Sequence, residues 1–410
     1  MIDLERSNGM LTDVQSQLGE QIQEARSVTD ALFETIRPGS LYERPIAERH
    51  RLVFYLGHLE AFDWNLLGRR ALGTASFHPD FDKLFEFGID PPEGSEPADQ
   101  PADWPRGAEI SAYNQRVRAK LDQHLGDIPE QLLHVAIEHR LMHAETLAYL
   151  LHGLDYQNKQ PQPSAAIGLA PPASPRMIDI PEGSATLGQS PEEFGWDNEY
   201  ARHGEASAAF RIAKYKVTNG EYLHFVNSGA PAPHFWVQRD GRWFLRGMFE
   251  ELPLPLDWPV YVTQHQASLY AASKGLRLPT ETEFHRAAYD DRAILYPWGD
   301  APPDASRGNF DFSRWDPAPV TAYPAGDSIF GVSQLVGNGW EWTSTAFAPF
   351  PGFEPFPFYP GYSANFFDGE HYVMKGASPR TAACFLRPSF RNWFRGRYPY
   401  AYATFRLAGD

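Results

Sequence analysis

The run LLHVAIEHRLMHAETLAYLLHGL at residues 132–154 constrains the fold more than any other stretch of the chain. Steps of three and four residues return to one face of an α-helix, so Leu132, Ala136, His139, His143, Leu147, Leu150 and Leu154 form a single stripe. Start and stop signals agree: Pro129 follows Asp127 near the first turn, where a missing N–H costs nothing, and Gly153 stands at the far end. Two imidazoles therefore lie one turn apart on the face that turns inward. A single histidine on such a face is commonly a satisfied core residue. A pair at i, i+4 is different, because burying two imidazoles without partners costs about a few kcal/mol, whereas one shared cation satisfies both. The spacing marks His139 and His143 as candidate metal ligands, with plain core burial as the competing reading.

Three more helices are expected upstream. Residues 10–36 carry Leu11, Leu18, Ile22, Ala25, Leu32 and Phe33 at helical spacing and stop at Pro38-Gly39; residues 48–72 carry Leu52, Tyr55, Leu56, Leu59, Phe62 and Leu66. Residues 110–124 follow a loop rich in Pro, Asp and Glu at 90–104. Four amphipathic helices of this length imply a four-helix bundle, whose interior is where facing side chains build metal sites. Of the 14 histidines, His58 is the other one in the middle of a buried bundle face, which makes it the candidate third ligand. His134 shares the helix of His139 but points away from its stripe. Three nitrogen ligands permit zinc with one bound water or iron(II) with several open positions, and periodicity does not choose between them. Glu145 is displaced around the helix from His143 and reads as a supporting or interhelical carboxylate, with a solvated charge as the alternative.

Composition bounds the rest. A chain of 410 residues is long enough for two domains with separate cores. Its one cysteine, Cys384, excludes an internal disulfide, a Cys-rich zinc site and a CxxC pair, and fits a reducing compartment. The amino terminus lacks the basic and apolar regions of a signal peptide, and no run approaches the ~18 apolar residues of a membrane span, so a cytoplasmic protein is expected. A net charge of −16 argues against nucleic acid or an anionic membrane as partner and leaves cationic or zwitterionic small molecules open. Residues 158–175, rich in Pro and Ala and without periodicity, read as a linker between a helical domain at 1–157 and a second domain at 176–410. There, short β-like runs at 177–180, 209–214 and 372–374 stand among Gly, Pro, Asn and aromatics, with helices at 219–227 and 268–273: an α+β domain with much irregular structure. The sequence holds no internal repeat, P-loop, dinucleotide fingerprint or nucleophile elbow.

The second half also carries, in order, IPEGSATLGQS (180–190), FGWDNE (194–199), YKVTNGEYLHFV (215–226), LRLPTETEFHRAA (276–288), YPWGD (296–300), VGNGWEWTST (336–345), RPSFRNWF (387–394) and FRLA (405–408). This series resembles the formylglycine-generating-enzyme (sulfatase-modifying factor) domain, which has a C-type-lectin-like fold, over nearly all of 177–410. The helical half, with His58 and the segment His139-Arg140-Leu141-Met142-His143-Ala144-Glu145, resembles the DinB-like four-helix bundle. Joined in this order, the two are similar to the ergothioneine sulfoxide synthases, or hercynine oxygenases, and their ovothiol and selenoneine relatives.

The resemblance implies an oxidoreductase with one non-haem iron(II) on His58, His139 and His143, O2 as co-substrate, and C–S bond formation between a thiol and the imidazole of hercynine. Selenoneine-type C–Se bond formation from a selenosugar, thiol dioxygenation and a metal-stabilised binding module are the competing functions. Formylglycine generation is disfavoured, because those enzymes use a pair of active-site cysteines and this chain has only Cys384. The family's proton-donating tyrosine lies in a Tyr-x-x-Tyr segment after the WEWT motif, which assigns the role to Tyr359, with Tyr362 as second choice. Asn392 and Trp393 match residues that line the site for the trimethylammonium group, for which an aromatic face is suited. Members that use γ-glutamylcysteine carry an acidic residue directly after RNW; Phe394 stands there, which directs the expectation to cysteine or another small thiol or selenol. Met142 stands where the family often has a Gln close to the substrate imidazole. A structural calcium near 337–342 is a further expectation, since some domains of the lectin-like class hold metals there.

Overall fold

A computed structural model of the chain describes residues 2–86, 96–162 and 173–410, with side chains from residue 15 onward, and divides into two units, Met1–Gln162 and Pro163–Asp410. The first is built from helices α1 (Ile2–Glu34), α2 (Leu52–Asp63), α3 (Pro79–Leu84), α4 (Gly107–Leu121) and α5 (Glu130–Gly153). The helix expected over 48–72 is α-helical only to Asp63 and continues as a π-helical segment, Trp64–Ala71, in which the Trp64 ring packs so closely over Gly68 that a Cβ there would come within 2.5 Å of it. The brief α3, which periodicity did not announce, starts at Pro79 with the side chain of His78 accepting the N–H of Phe81.

Helix α5 begins where the sequence places it, after Pro129, whose carbonyl accepts the N–H of Leu132 at 3.0 Å. Its burial is wider than one stripe. From Val135 to Leu141 and from Leu147 to His152 every side chain is buried, including Glu138 and Arg140. A helix surrounded on most sides must pair its charges inside the core. Arg140 does so by donating to Asp63 at 2.7 Å and to the Thr29 hydroxyl at 3.3 Å, and by an ion pair with Glu60 at 2.9 Å. Arg118 on α4 reaches the other Glu60 oxygen at 2.6 Å and Asp30 at 2.6 Å. Although burial opposes its charge, these two guanidiniums hold the Glu60 carboxyl below its usual range. One ionic cluster thus joins α1, α2, α4 and α5. The chain after α5 stays on the bundle: the buried Lys159 donates to the Leu151 carbonyl at 2.8 Å, and the N–H of Gln160 to the Thr35 carbonyl at 2.7 Å. Residues 163–172 of the expected linker, residues 90–95 of the expected acidic loop and the side chain of Leu11 lie outside what the structure describes.

The second unit mixes helices and small sheets. Its strands are β1 (Met177–Ile180), β2 (Gly183–Leu187), β3 (His203–Ser207), β4 (Phe210–Ala213), β5 (Trp236–Arg239), β6 (Arg242–Arg246), β7 (Glu251–Pro253), β8 (Gly339–Ala346), β9 (His371–Ala377), β10 (Asn392–Arg395), β11 (Ala403–Thr404) and β12 (Ala408–Gly409). They form the sheets β10-β9-β8-β11, β1-β4-β12 and β5-β6-β7 and the pair β2-β3. Helices α6 (Asn219–Asn227), α7 (Gln264–Ser273) and α8 (Glu281–Tyr289) each open on a reciprocal cap, Thr218 with Glu221, Thr263 with Gln266 and Thr280 with Glu283. Trp196, Trp340 and Trp342 are fully buried, which accounts for part of the unusual tryptophan content.

A second buried ionic cluster ties three of the sequence motifs together. Glu341, on β8, takes Lys216 at 2.7 Å and Arg406 through both carboxylate oxygens at 2.6 Å, while Arg406 also donates to the carbonyls of Ala213, Lys214 and Ser333. Removing one member of such a group strands the others, at a cost of about 3–5 kcal/mol. Glu341→Ala should therefore lower the urea-unfolding free energy of the chain by about that much. A loss of under ~1 kcal/mol would show that the cations find other partners.

Candidate functional site

Helices α2 and α5 bring His58, His139 and His143 together, with one ring nitrogen from each within 4.8 Å of the others. Ring centroids lie 5.2 Å apart for His58 and His139, 4.8 Å for His58 and His143, and 4.5 Å for His139 and His143. Aromatic walls set the ring planes: Phe62 stacks on His139 at 3.4 Å and Phe54 on His58 at 4.9 Å, and Tyr55 stands 5.8 Å from His143. Burial pushes His58 down to about 4, and burial together with the neighbouring histidines pushes His139 and His143 well below the ordinary imidazole range. All three are neutral at pH 7, the form in which imidazole is a ligand.

The tautomer of His58 is fixed from behind. Its Nδ1 lies 2.7 Å from the carbonyl oxygen of Phe85 and donates to it, which leaves the Nε2 lone pair facing His143, whose Nε2 is 3.2 Å away. Two imidazole nitrogens sharing one ion at about 2.0–2.1 Å stand ~3.0–3.4 Å apart, so this pair fits a metal in place of the proton between them. Phe85 reaches this position because α2 has a glycine next to the histidine: a Cβ on Gly57 would come within 2.6 Å of the Phe85 ring. The segment is anchored at its other side by buried Asp82, which accepts the hydroxyls of Ser76 at 2.6 Å and Tyr113 at 2.8 Å. Neither Gly57 nor Phe85 stands out by periodicity; the one local signal is a glycine beside a buried histidine in a helix interior.

Other residues singled out from the sequence fall elsewhere. His134 lies 3.5 Å from Glu130 on the first turns of α5, outside the cluster. Glu145 is buried and accepts the Tyr149 hydroxyl at 2.5 Å, so it is not a solvated charge. Met142 is half-buried between the two α5 histidines in the chain. At 337–342, Glu341 is committed to Lys216 and Arg406, and Asn338 to Asn309, Ala318 and Gln334; among the described residues the three-histidine group is the one cluster of His, Cys, Asp and Glu side chains suited to a metal.

In the second unit, Tyr359 and Tyr362 lie in the loop between β8 and β9, and Asn392, Trp393 and Phe394 on the edge strand β10. Trp393 stacks on Phe347 at 4.2 Å and meets Tyr362 edge-on at 5.3 Å. Tyr362 is buried against Trp196 at 4.0 Å, and the half-buried Tyr359 stands 5.6 Å from Tyr362. Tyr359, Tyr362 and Trp393 thus share one aromatic cluster. Burial, and then the charge of Asp197, pushes the Tyr359 phenol up to about 12, so it keeps its proton throughout the neutral range. Phe394 stacks on Tyr398 at 4.7 Å, and the Asn392 carboxamide oxygen accepts the N–H of Trp393 at 2.9 Å.

Comparison with known proteins agrees with this arrangement. Residues 164–410 match the sulfatase-modifying factor enzyme 1-like domain family and residues 21–153 the DinB superfamily. The hercynine oxygenase of Mycolicibacterium smegmatis is 35% identical over 341 residues, covering 74% of this chain and 78% of that protein. The hercynine oxygenase of Mycolicibacterium thermoresistibile is 36% identical over 315 residues, covering 67% and 68% respectively. Ergothioneine biosynthesis protein 1 of Schizosaccharomyces pombe is 29% identical over 419 residues, covering 90% of this chain and 53% of that protein. A DinB-type bundle with three facing histidines, followed by a sulfatase-modifying-factor-type domain, defines an oxygen-dependent oxidoreductase with a candidate metal centre. Within that class, the chain belongs to the hercynine oxygenase family.

The support behind His58 can be tested without touching a histidine. Gly57→Ala should displace Phe85 and with it the acceptor for Nδ1–H, lowering affinity in an anaerobic iron(II) titration by about 10–100-fold. The accompanying loss of stability should be about 1–3 kcal/mol, as for an overpacked core. Wild-type affinity in this variant would show that the Phe85 carbonyl does not orient the ligand.

Proposed function

We propose that this protein is an iron(II)-dependent hercynine oxygenase that joins cysteine to the imidazole ring of a trimethylated histidine and leaves a sulfoxide. The observation that carries the reading is the buried cluster of three neutral histidines in a chain that belongs to this family. The overall change balances without another reductant: one imidazole C–H and one thiol S–H are lost, a C–S bond forms, one oxygen atom of O2 ends on sulfur and the other leaves as water with the two hydrogens. Iron(II) held by His58, His139 and His143 would supply redox chemistry with O2 and open coordination positions for the substrates.

The protein's own groups have distinct tasks in this reading. His58, His139 and His143 contribute no negative charge, which keeps the centre receptive to a thiolate. Trp393, beside Tyr362, offers an aromatic face to the trimethylammonium group, a contact worth about 0.5–2 kcal/mol. Asn392 lies beside it in the chain. Tyr359 delivers a proton to oxygen as it is reduced, and its high pKa keeps that proton available at neutral pH. Phe394 stacked on Tyr398 offers no carboxylate to the amine of a γ-glutamyl group, which supports free cysteine as donor.

The test is mass spectrometry of the products formed from hercynine, cysteine, iron(II) and O2. The wild type should give the coupled sulfoxide, and Tyr359→Phe should lose about 10²–10⁴-fold of that rate while retaining its iron and continuing to consume oxygen as cysteine sulfinate. Cysteine sulfinate as the sole product of the wild type would make the protein a thiol dioxygenase. An unchanged product ratio in Tyr359→Phe with a collapsed one in Tyr362→Phe would transfer the proton-donor role to Tyr362.

A further inference from the structure

The turn that carries the sequence FGWDNE packs beneath the tyrosine loop. Asp197 is almost fully buried, and its Oδ1 accepts the Ser363 hydroxyl at 2.5 Å. Ser363 directly follows Tyr362 in the chain. On the same side, the indole of Trp196 stacks on Tyr362 at 4.0 Å and meets Tyr359 edge-on at 6.4 Å.

The underside of the turn is tied to the other part of the aromatic cluster. Glu199 accepts the N–H of Trp196 at 2.8 Å and is gripped by Arg387 at 2.8 and 2.5 Å and by the Ser389 hydroxyl at 2.6 Å. Arg391, the residue directly before Asn392 and Trp393, donates to the Asn198 carbonyl at 3.4 Å. Four consecutive residues, 196–199, therefore touch both the loop of the two tyrosines and the segment leading into β10.

We propose that Trp196 and Asp197 are positioning residues that hold Tyr359 at a fixed distance from Trp393, with Asp197 anchoring the tyrosine loop at Ser363 and Trp196 supporting the rings of Tyr359 and Tyr362. This inference rests on the proposed role of Tyr359 as proton donor. Without that anchor, a Pro- and Gly-containing loop has several ways to place its phenol, and a misplacement of about 1 Å can cost ~10²-fold in a step that depends on proximity. The charge of Asp197 also contributes to the high pKa of the Tyr359 phenol, after burial itself, and so helps it retain the proton until it is used.

Iron(II)-loaded protein labelled with 3-fluorotyrosine provides a readout that does not depend on turnover, the Tyr359 resonance being assigned from Tyr359→Phe. In Asp197→Ala that resonance should shift and broaden, and the ratio of coupled product to cysteine sulfinate should fall at least about tenfold, with iron content and the KM for hercynine within about twofold of the wild type. Asp197→Asn, whose amide oxygen can still accept the Ser363 hydroxyl, should recover most of both. Ser363→Ala, a smaller lesion at the same contact, should move both in the direction of Asp197→Ala and serves if that variant does not fold. A wild-type resonance and product ratio in Asp197→Ala, or in Ser363→Ala where it stands in, would overturn the inference. A wild type that makes no coupled product would instead defeat the proposed reaction, and the fluorine resonance alone would then decide whether the Asp197–Ser363 anchor holds the tyrosine.

Discussion

The Arg140 guanidinium, enclosed between Glu60 and Asp63, sets the register of α5 against α2, and the separation of the histidines follows from that register. Arg140 is adjacent in sequence to His139, and Glu60 is two residues from His58. A slide of either helix by one turn would part the ions and the imidazoles together. Because breaking a buried ion pair from one side costs about 3–5 kcal/mol, the bundle is held to this one alignment more tightly than apolar packing alone would hold it. Arg118 extends the same constraint to α4 and, through Asp30, to α1. The imidazoles are themselves costly to bury, as their lowered pKa values show, so the alignment is maintained by groups that stand beside the site.

The second unit solves a related problem with different means. Its sheets are small and its loops long, so regular backbone pairing cannot by itself position the aromatic cluster. Buried charges do so instead: Glu341 with Lys216 and Arg406 in the centre, and Glu199 with Arg387 below the tyrosine loop. Carboxylates so placed keep low pKa values in spite of burial, Glu341 through Arg406 and Lys216 and Glu199 through Arg387. The aromatic rings that pack around them provide rigid surfaces with few rotatable bonds, and this suits recognition of a cation by ring faces.

The meeting of His58, His139 and His143 was legible because it depends on helical period and on the existence of two buried helices facing each other. Helix α6 was legible over 219–227, whereas α7 was read only from 268 although it starts at Gln264, and α8 was not read, although the Thr-x-x-Gln and Thr-x-x-Glu caps that open them are local chemistry. The support of the site was not legible. Phe85 lies 27 residues from His58, and Asp197 lies 166 residues from Ser363, separations over which no periodicity carries information. The burial of α5 on most sides was also hidden, because Glu138 and Arg140 interrupt its apolar pattern and only the ionic partners on other helices reveal that they belong inside. The motif FGWDNE was visible as a resemblance, but its contact with the tyrosine loop is a fact of tertiary structure. The break from α to π geometry at Trp64, where the ring packs over Gly68, likewise has no signature in helical propensity.

The central claim is that His58, His139 and His143 together hold the metal on which the reaction depends. Its most direct test is anaerobic iron(II) loading of the wild type and of His139→Ala, with bound iron and coupled sulfoxide measured on the same samples. One iron per chain and sulfoxide formation in the wild type, with both lost in His139→Ala and both retained in His134→Ala, is the predicted result. Full iron content and product formation in His139→Ala would contradict the account, since the metal would then be held by other residues.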